Sequence, residues 1–75
     1  MPMSQEKIDR HVGSKLRTLR ESYGLSQAQL AEKIGRDLDT VRQNEEGVRR
    51  MSADELWQMC AVLDVRPNSF FKDLD

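Results

Sequence analysis

The chain has a single cysteine, Cys60, and therefore no internal disulfide. Its start, "MPMSQEKIDR", holds no apolar stretch of the secretory kind, and the two features together set the expectation of a cytoplasmic protein. Nowhere do apolar residues run to the ~18 that a membrane span needs, so no membrane partner is expected. There are two prolines and four glycines, and β-branched residues are few, a balance that favours helix over sheet. His11 is the only histidine. No Cys/His set has metal-ligand spacing, and no glycine-rich phosphate loop follows a strand. Glu45–Glu46 and Asp54–Glu55 are adjacent in sequence, so their side chains diverge and cannot share one substrate. The chain is therefore expected to be no enzyme, with no metal and no cofactor.

What is present fits one small helical domain. At 75 residues, such a domain buries only about 60–65 % of the surface that its unfolded chain exposes, so the core is thin. Apolar residues make up 37 %, enough for one core, and charged residues make up 33 %. The net charge of −1 does not by itself suggest nucleic acid, but its distribution is polarised. Residues 1–36 carry Lys7, Arg10, Lys15, Arg17, Arg20, Lys33 and Arg36 against four acids, a balance of +3. Residues 51–75 carry only Arg66 and Lys72 against five acids, a balance of −3. A domain so divided can offer one basic face to an anionic partner.

Apolar spacing divides the chain into five helical pieces, with residues 1–6 as a flexible tail and 7–75 as the domain. The first runs from about Lys7 to Ser22, with Ile8, Val12, Leu16, Leu19 and Tyr23 on one face. Gly13 interrupts it at a cost of roughly 1 kcal/mol against alanine, which points to a close packing contact. The second starts at "SQAQLAEKIG", where Ser26 and Gln29 form a capping box and Gly35 closes the helix at a turn. The third runs from about Leu38 to Glu45, capped by Asp37. The fourth starts at a second capping box, Ser52 and Glu55, and buries Leu56, Met59, Cys60 and Leu63. The fifth is the short "SFFKDL". The fold class is all-α.

Two short helices joined at Gly35 fit a helix-turn-helix, whose second helix enters the major groove. "LRTLRESYGLSQAQLAEKIG…TVRQNEEG" followed by "LWQMCAVLDV" resembles the phage-repressor (Cro-type) helix-turn-helix family over roughly residues 11 to 71. Arg20, the "GLSQAQLA" segment, the glycine turn, Val41, Glu45 with Gly47, and the closing "LDV" carry the resemblance. It implies a compact five-helix, lambda-repressor-like domain that binds double-stranded DNA as a homodimer. By position, Gln27 is similar to a glutamine that touches the DNA backbone and orients the third helix. Arg20 and Glu45 match a structural pair between helices one and three. Leu38, Asp39 and Gln43 fall where base edges are contacted, and Arg49 and Arg50 fall in a loop along a phosphate strand. Arg36 and Asn44 depart from the pattern, since both positions are usually apolar in the family.

Geometry alone adds to this picture. With Val41 turned inward, about 100° per residue places Asp39, Gln43 and Glu46 on the opposite face, with Thr40 and Arg42 on its flanks. Gln43 can bond adenine N6 and N7 together, Asp39 can accept from cytosine N4, and Thr40 can bond a phosphate or pack on a thymine methyl. Asp39 also gains roughly 0.3–1 kcal/mol from the helix dipole, so structural and reading roles both remain open for it. Glu46 is read either as solvated or as a partner of Arg49 or Arg50, and Lys15 as part of a solvated face. Trp57 falls one residue off the inward stripe and is expected to be half exposed. With Val65 and the outward one of the adjacent Phe70 and Phe71, it forms a candidate dimer patch.

The expected function is thus a sequence-specific regulator of transcription, acting as a repressor. It would set its third helix in the major groove, with half-sites about 34 Å apart. The alternative keeps the fold without the DNA: a protein-interaction module whose acidic third helix binds a basic partner. No separate ligand domain is expected, and no small-molecule ligand is indicated.

Overall fold

The computed structural model describes residues 4–73. Among them are four α-helices and one 3-10 turn, with no strand: α1 (Gln5–Ser22), α2 (Gln27–Ile34), α3 (Leu38–Glu46), α4 (Ala53–Leu63) and the 3-10 turn Pro67–Phe70. The expected count of five helices is therefore corrected to four plus a single turn. Pro67 fixes the backbone at the start of that turn, and the segment ends at Phe70, before it can become a helix. The last residue of the expected fifth piece, Leu74, lies outside the described residues, as do residues 1–3 of the expected tail. Helix α1 takes in Gln5 and Glu6, because the Ser4 side chain accepts from the Lys7 backbone N–H at 3.2 Å and caps the first turn.

Each later helix starts where its capping residue predicts. Ser26 and Gln29 satisfy one another's backbone N–H groups at 3.0 and 2.8 Å, and Ser52 and Glu55 do so at 3.1 and 2.9 Å. Asp37 caps α3 by accepting from the Thr40 backbone N–H at 3.0 Å. Gly35, at φ 71°, closes α2 and turns the chain into α3 within three residues.

The core is built from Leu16, Leu30, Ala31, Ile34, Val41, Met59, Cys60, Leu63 and Phe70, all buried. Every helix contributes to it. Burying a side chain of the Val, Leu, Ile, Met or Phe kind stabilises by about 1.5–3 kcal/mol, and seven of the nine core residues are of that kind, the others being Ala31 and Cys60. Val12, Leu19 and Leu56 pack against this core only in part. Tyr23, expected on the inward stripe, is the C-cap of α1 and is exposed. The C-terminal segment lies on α1. His11 donates through Nε2 to the Lys72 carbonyl at 2.8 Å, and Lys15, expected to be solvated, pairs with Asp73 at 3.3 Å.

Helix α3 sits between α1 and α2, and two glycines set its distance from α1. At Gly13 an added Cβ would lie 2.6 Å from the Glu45 carbonyl oxygen and closer still to that of Asn44. At Gly47, in the left-handed region at φ 75°, it would lie 2.6 Å from the Arg10 side chain. Gly13→Ala is therefore expected to push α1 from α3 and to lower stability by about 1–3 kcal/mol, read as a lower urea midpoint. An unchanged midpoint would show that the two helices separate freely at this contact.

Candidate nucleic-acid interface

The anchoring of α3 begins with a buried ion pair. Arg20 on α1 donates to Glu45 on α3 through Nε at 2.6 Å and through Nη2 at 3.1 Å, and its Nη1 donates to the Leu25 carbonyl at 2.8 Å. Both side chains are buried, and the Glu45 hydrogen bond, ahead of burial, keeps the Arg20 guanidinium firmly charged. Gln27, at the start of α2, donates through Nε2 to the same carboxylate at 3.0 Å. One carboxylate thus joins three helices.

The opposite face of α3 is open. Leu38 is 49 % exposed, Asp39, Arg42 and Glu46 are exposed, and Gln43 is half-buried, while Val41, Asn44 and Glu45 are turned inward. The acids on this face are paired within the helix. Asp39 accepts from Arg42 on one oxygen and from Gln43 Nε2, at 3.1 Å, on the other. Arg42 also reaches Glu46 at 3.5 Å, so Glu46, read either as solvated or as a partner of Arg49 or Arg50, is exposed and pairs within α3. Thr40 gives its hydroxyl to Asp37 at 2.6 Å and lies half-buried at the helix start. That hydrogen bond, with the one from the Thr40 backbone, holds the Asp37 carboxyl below its usual range.

The loop after α3 carries the two arginines expected along a phosphate strand. Arg50 is exposed and lies 3.6 Å from Asp9 of α1. Arg49 turns back under α3, where Nη1 donates to Glu55 at 2.8 Å and to Asn44 at 3.2 Å. Arg36, in the turn between α2 and α3, faces the other Glu55 oxygen at 3.6 Å. In the sequence Glu55 reads only as a capping residue, and the cluster around it emerges with the fold. The available signal was the pair of departures, Arg36 and Asn44: polar residues at two usually apolar positions need partners, and they find them in one cluster, Arg36 facing Glu55 and Asn44 accepting from the Arg49 that also donates to Glu55.

The candidate dimer patch is only partly assembled. Trp57 is 70 % exposed, more than expected, and borders a hollow with Cys60, Val65, Arg66 and Pro67. Phe71 is exposed but lines a different hollow, with Ile8, Met51 and Leu56. Phe70 is fully buried, which removes it from any surface patch: it fills the core beneath the 3-10 turn.

The helix-turn-helix domain family matches residues 11–69. An uncharacterized HTH-type transcriptional regulator of Sinorhizobium fredii is 41% identical over 66 residues, 88% of this chain and 46% of that protein. Another, of Rhizobium meliloti, is 36% identical over 66 residues, 88% of this chain and 48% of that protein. The chain spans about half the length of these relatives. Among solved structures, the restriction-modification controller protein C.AhdI of Aeromonas hydrophila superposes with a TM-score of 0.79 at 35% identity, covering 83% of this chain and 94% of that one. The clp gene regulator ClgR of Corynebacterium glutamicum superposes with a TM-score of 0.82 at 21% identity, over 93% of this chain and 70% of that one, a likeness of fold alone.

The Glu55 cluster also fixes a pH dependence. Burial pushes this carboxyl up, but the Arg49 and Ser52 hydrogen bonds and the charges of Arg49 and Arg36 outweigh it and hold the carboxyl below its ordinary value. A lowered native value means that the stabilisation is present above about pH 4.3 and is lost as pH falls through the folded value. Urea midpoints taken from about pH 5 down to about pH 3 should fall more steeply for the parent than for Glu55→Gln. Equal slopes would show that the carboxylate charge contributes nothing to the fold.

Proposed function

The chain belongs to the helix-turn-helix domain family, and from that premise we propose that it is a sequence-specific regulator of transcription, binding duplex DNA on the Cro-type plan. The observation that carries this is the mounting of α3: one face is locked to α1 and α2 through Val41, Asn44 and Glu45, and the other presents Leu38, Asp39, Arg42 and Gln43 to solvent. A helix entering the major groove needs this division between an anchored face and a reading face. The acids do not oppose the phosphates as free charges, since Arg42 spans Asp39 and Glu46. Gln43 is the base reader, Arg50 and Arg49 lie on the phosphates, and Gln27 acts through Glu45 to hold the helix. Two copies act together as a repressor on a two-fold site, joined through Trp57 and Val65. Among the described residues no helix is long and apolar enough to cross a membrane.

The second reading, an interaction module for a basic protein, draws on the same α3 face, because Arg42 and Gln43 are both engaged by Asp39. Salt separates the two. Binding through several phosphates weakens steeply between about 50 and 200 mM salt and persists on random duplex. If no duplex is held even at ~20 mM salt, the regulator reading is lost. Gln43→Ala should cost roughly 1–3 kcal/mol on the best site and relax one base pair, whereas Arg50→Ala should weaken all sequences alike. Equal losses on chosen and random duplex for Gln43→Ala would remove it from base reading. For the dimer, sedimentation of Trp57→Ala should show a smaller species than the parent, and unchanged association would take Trp57 out of the interface.

A further inference from the structure

The cluster around Glu55 links two arginines from distant parts of the chain. The carboxylate is 1 % exposed, and its Oε1 accepts from Arg49 Nη1 at 2.8 Å and from the Ser52 backbone N–H at 2.9 Å. Its Oε2 has no hydrogen-bond partner among the described residues and faces only the Arg36 guanidinium, at 3.6 Å. Asn44, also buried, accepts from the same Arg49 Nη1 at 3.2 Å. Both Nη1 protons of Arg49 are therefore taken inward. The Nε–Nη2 edge enters no hydrogen bond among the described residues, and the side chain keeps 39 % of its surface exposed. That edge is the planar fork that grips a phosphate with two parallel bonds.

We propose that Glu55 is a positioning residue for DNA binding: buried behind the α3–α4 loop, it orients Arg49 so that the Nε–Nη2 edge takes one backbone phosphate. The proposal rests on the DNA-binding reading above. An unbuttressed arginine on a loop would have to order several rotamers on binding, and here that ordering is complete before DNA arrives. The polar replacements at 36 and 44 then have a joint purpose. Asn44 completes the acceptor pair for Nη1, and Arg36 supplies the positive charge that a buried carboxylate needs beside Arg49.

The test uses random-sequence duplex titrated between about 50 and 200 mM salt, where each phosphate contact contributes about one to the slope of log affinity against log salt. Glu55→Gln keeps the length and the capping geometry but removes the charge, and it should lower the slope by about one. Arg49→Gln should do the same, and the double variant should lose about one and not two, because both substitutions remove the same contact. An unchanged slope in Glu55→Gln, with helix content and melting retained, overturns the proposal, as does a full two-unit loss in the double variant. If Glu55→Gln fails to fold, Arg49→Lys decides. It keeps the charge but lacks the fork, so it should lose affinity at every salt concentration, and binding equal to the parent's overturns the proposal. A parent chain with no salt-dependent binding to duplex overturns the function reading as well, whereas a binding parent with an unmoved Glu55→Gln slope overturns this proposal alone.

Discussion

The fold depends on a carboxylate buried where three helices meet. Glu45 receives two hydrogen bonds from Arg20 and one from Gln27, so α1, α2 and α3 share a single charged joint. In a domain with so thin a core, apolar packing alone specifies the angle of α3 weakly, since oily surfaces can slide past one another. A bidentate pair cannot slide, because a small displacement leaves a buried charge without its partner, at a cost of about 3–5 kcal/mol. The pair therefore does less for total stability than for the uniqueness of the arrangement, and α3 is the element for which arrangement matters most.

A second charged joint, at Glu55, has the same logic with different parts. There the carboxylate binds the turn that precedes α3, through Arg36, and the loop that follows it, through Arg49. The helix is thus held along one flank by Glu45 and at both ends by Glu55. Its outer face needs no such support, and its charges settle among themselves: Arg42 lies between Asp39 and Glu46, one turn away on each side. Carboxylates that look hostile to a phosphate in the sequence are mostly internal partners of arginines in the structure.

Much of the helical plan was legible from the chain. Ser26 with Gln29, Ser52 with Glu55, Asp37 and Gly35 all mark helix ends through contacts no more than a few residues apart, and such local chemistry is what a linear pattern can carry. The close approach at Gly13 was likewise foreshadowed by the presence of a poor helix former in mid-helix. The fifth helix was not, because the apolar residues at 70 and 71 fit both a helix and a single 3-10 turn, and tertiary burial of Phe70 alone is enough to decide. The Glu55 cluster was hidden for a different reason: it joins residues 36, 44, 49 and 55, and only the fold brings them together.

The contact at Gly13 reaches further than packing. Where α1 meets α3, backbone touches backbone, and the side chains of the outer α3 face play no part in the union. Asp39, Arg42, Gln43 and Glu46 bond among themselves on the open face and, among the described residues, to neither α1 nor α2. On the proposed reading, a lineage carrying this domain would change the message it recognises through substitutions on the open face, while the backbone seat at Gly13 stays constant from one descendant to the next.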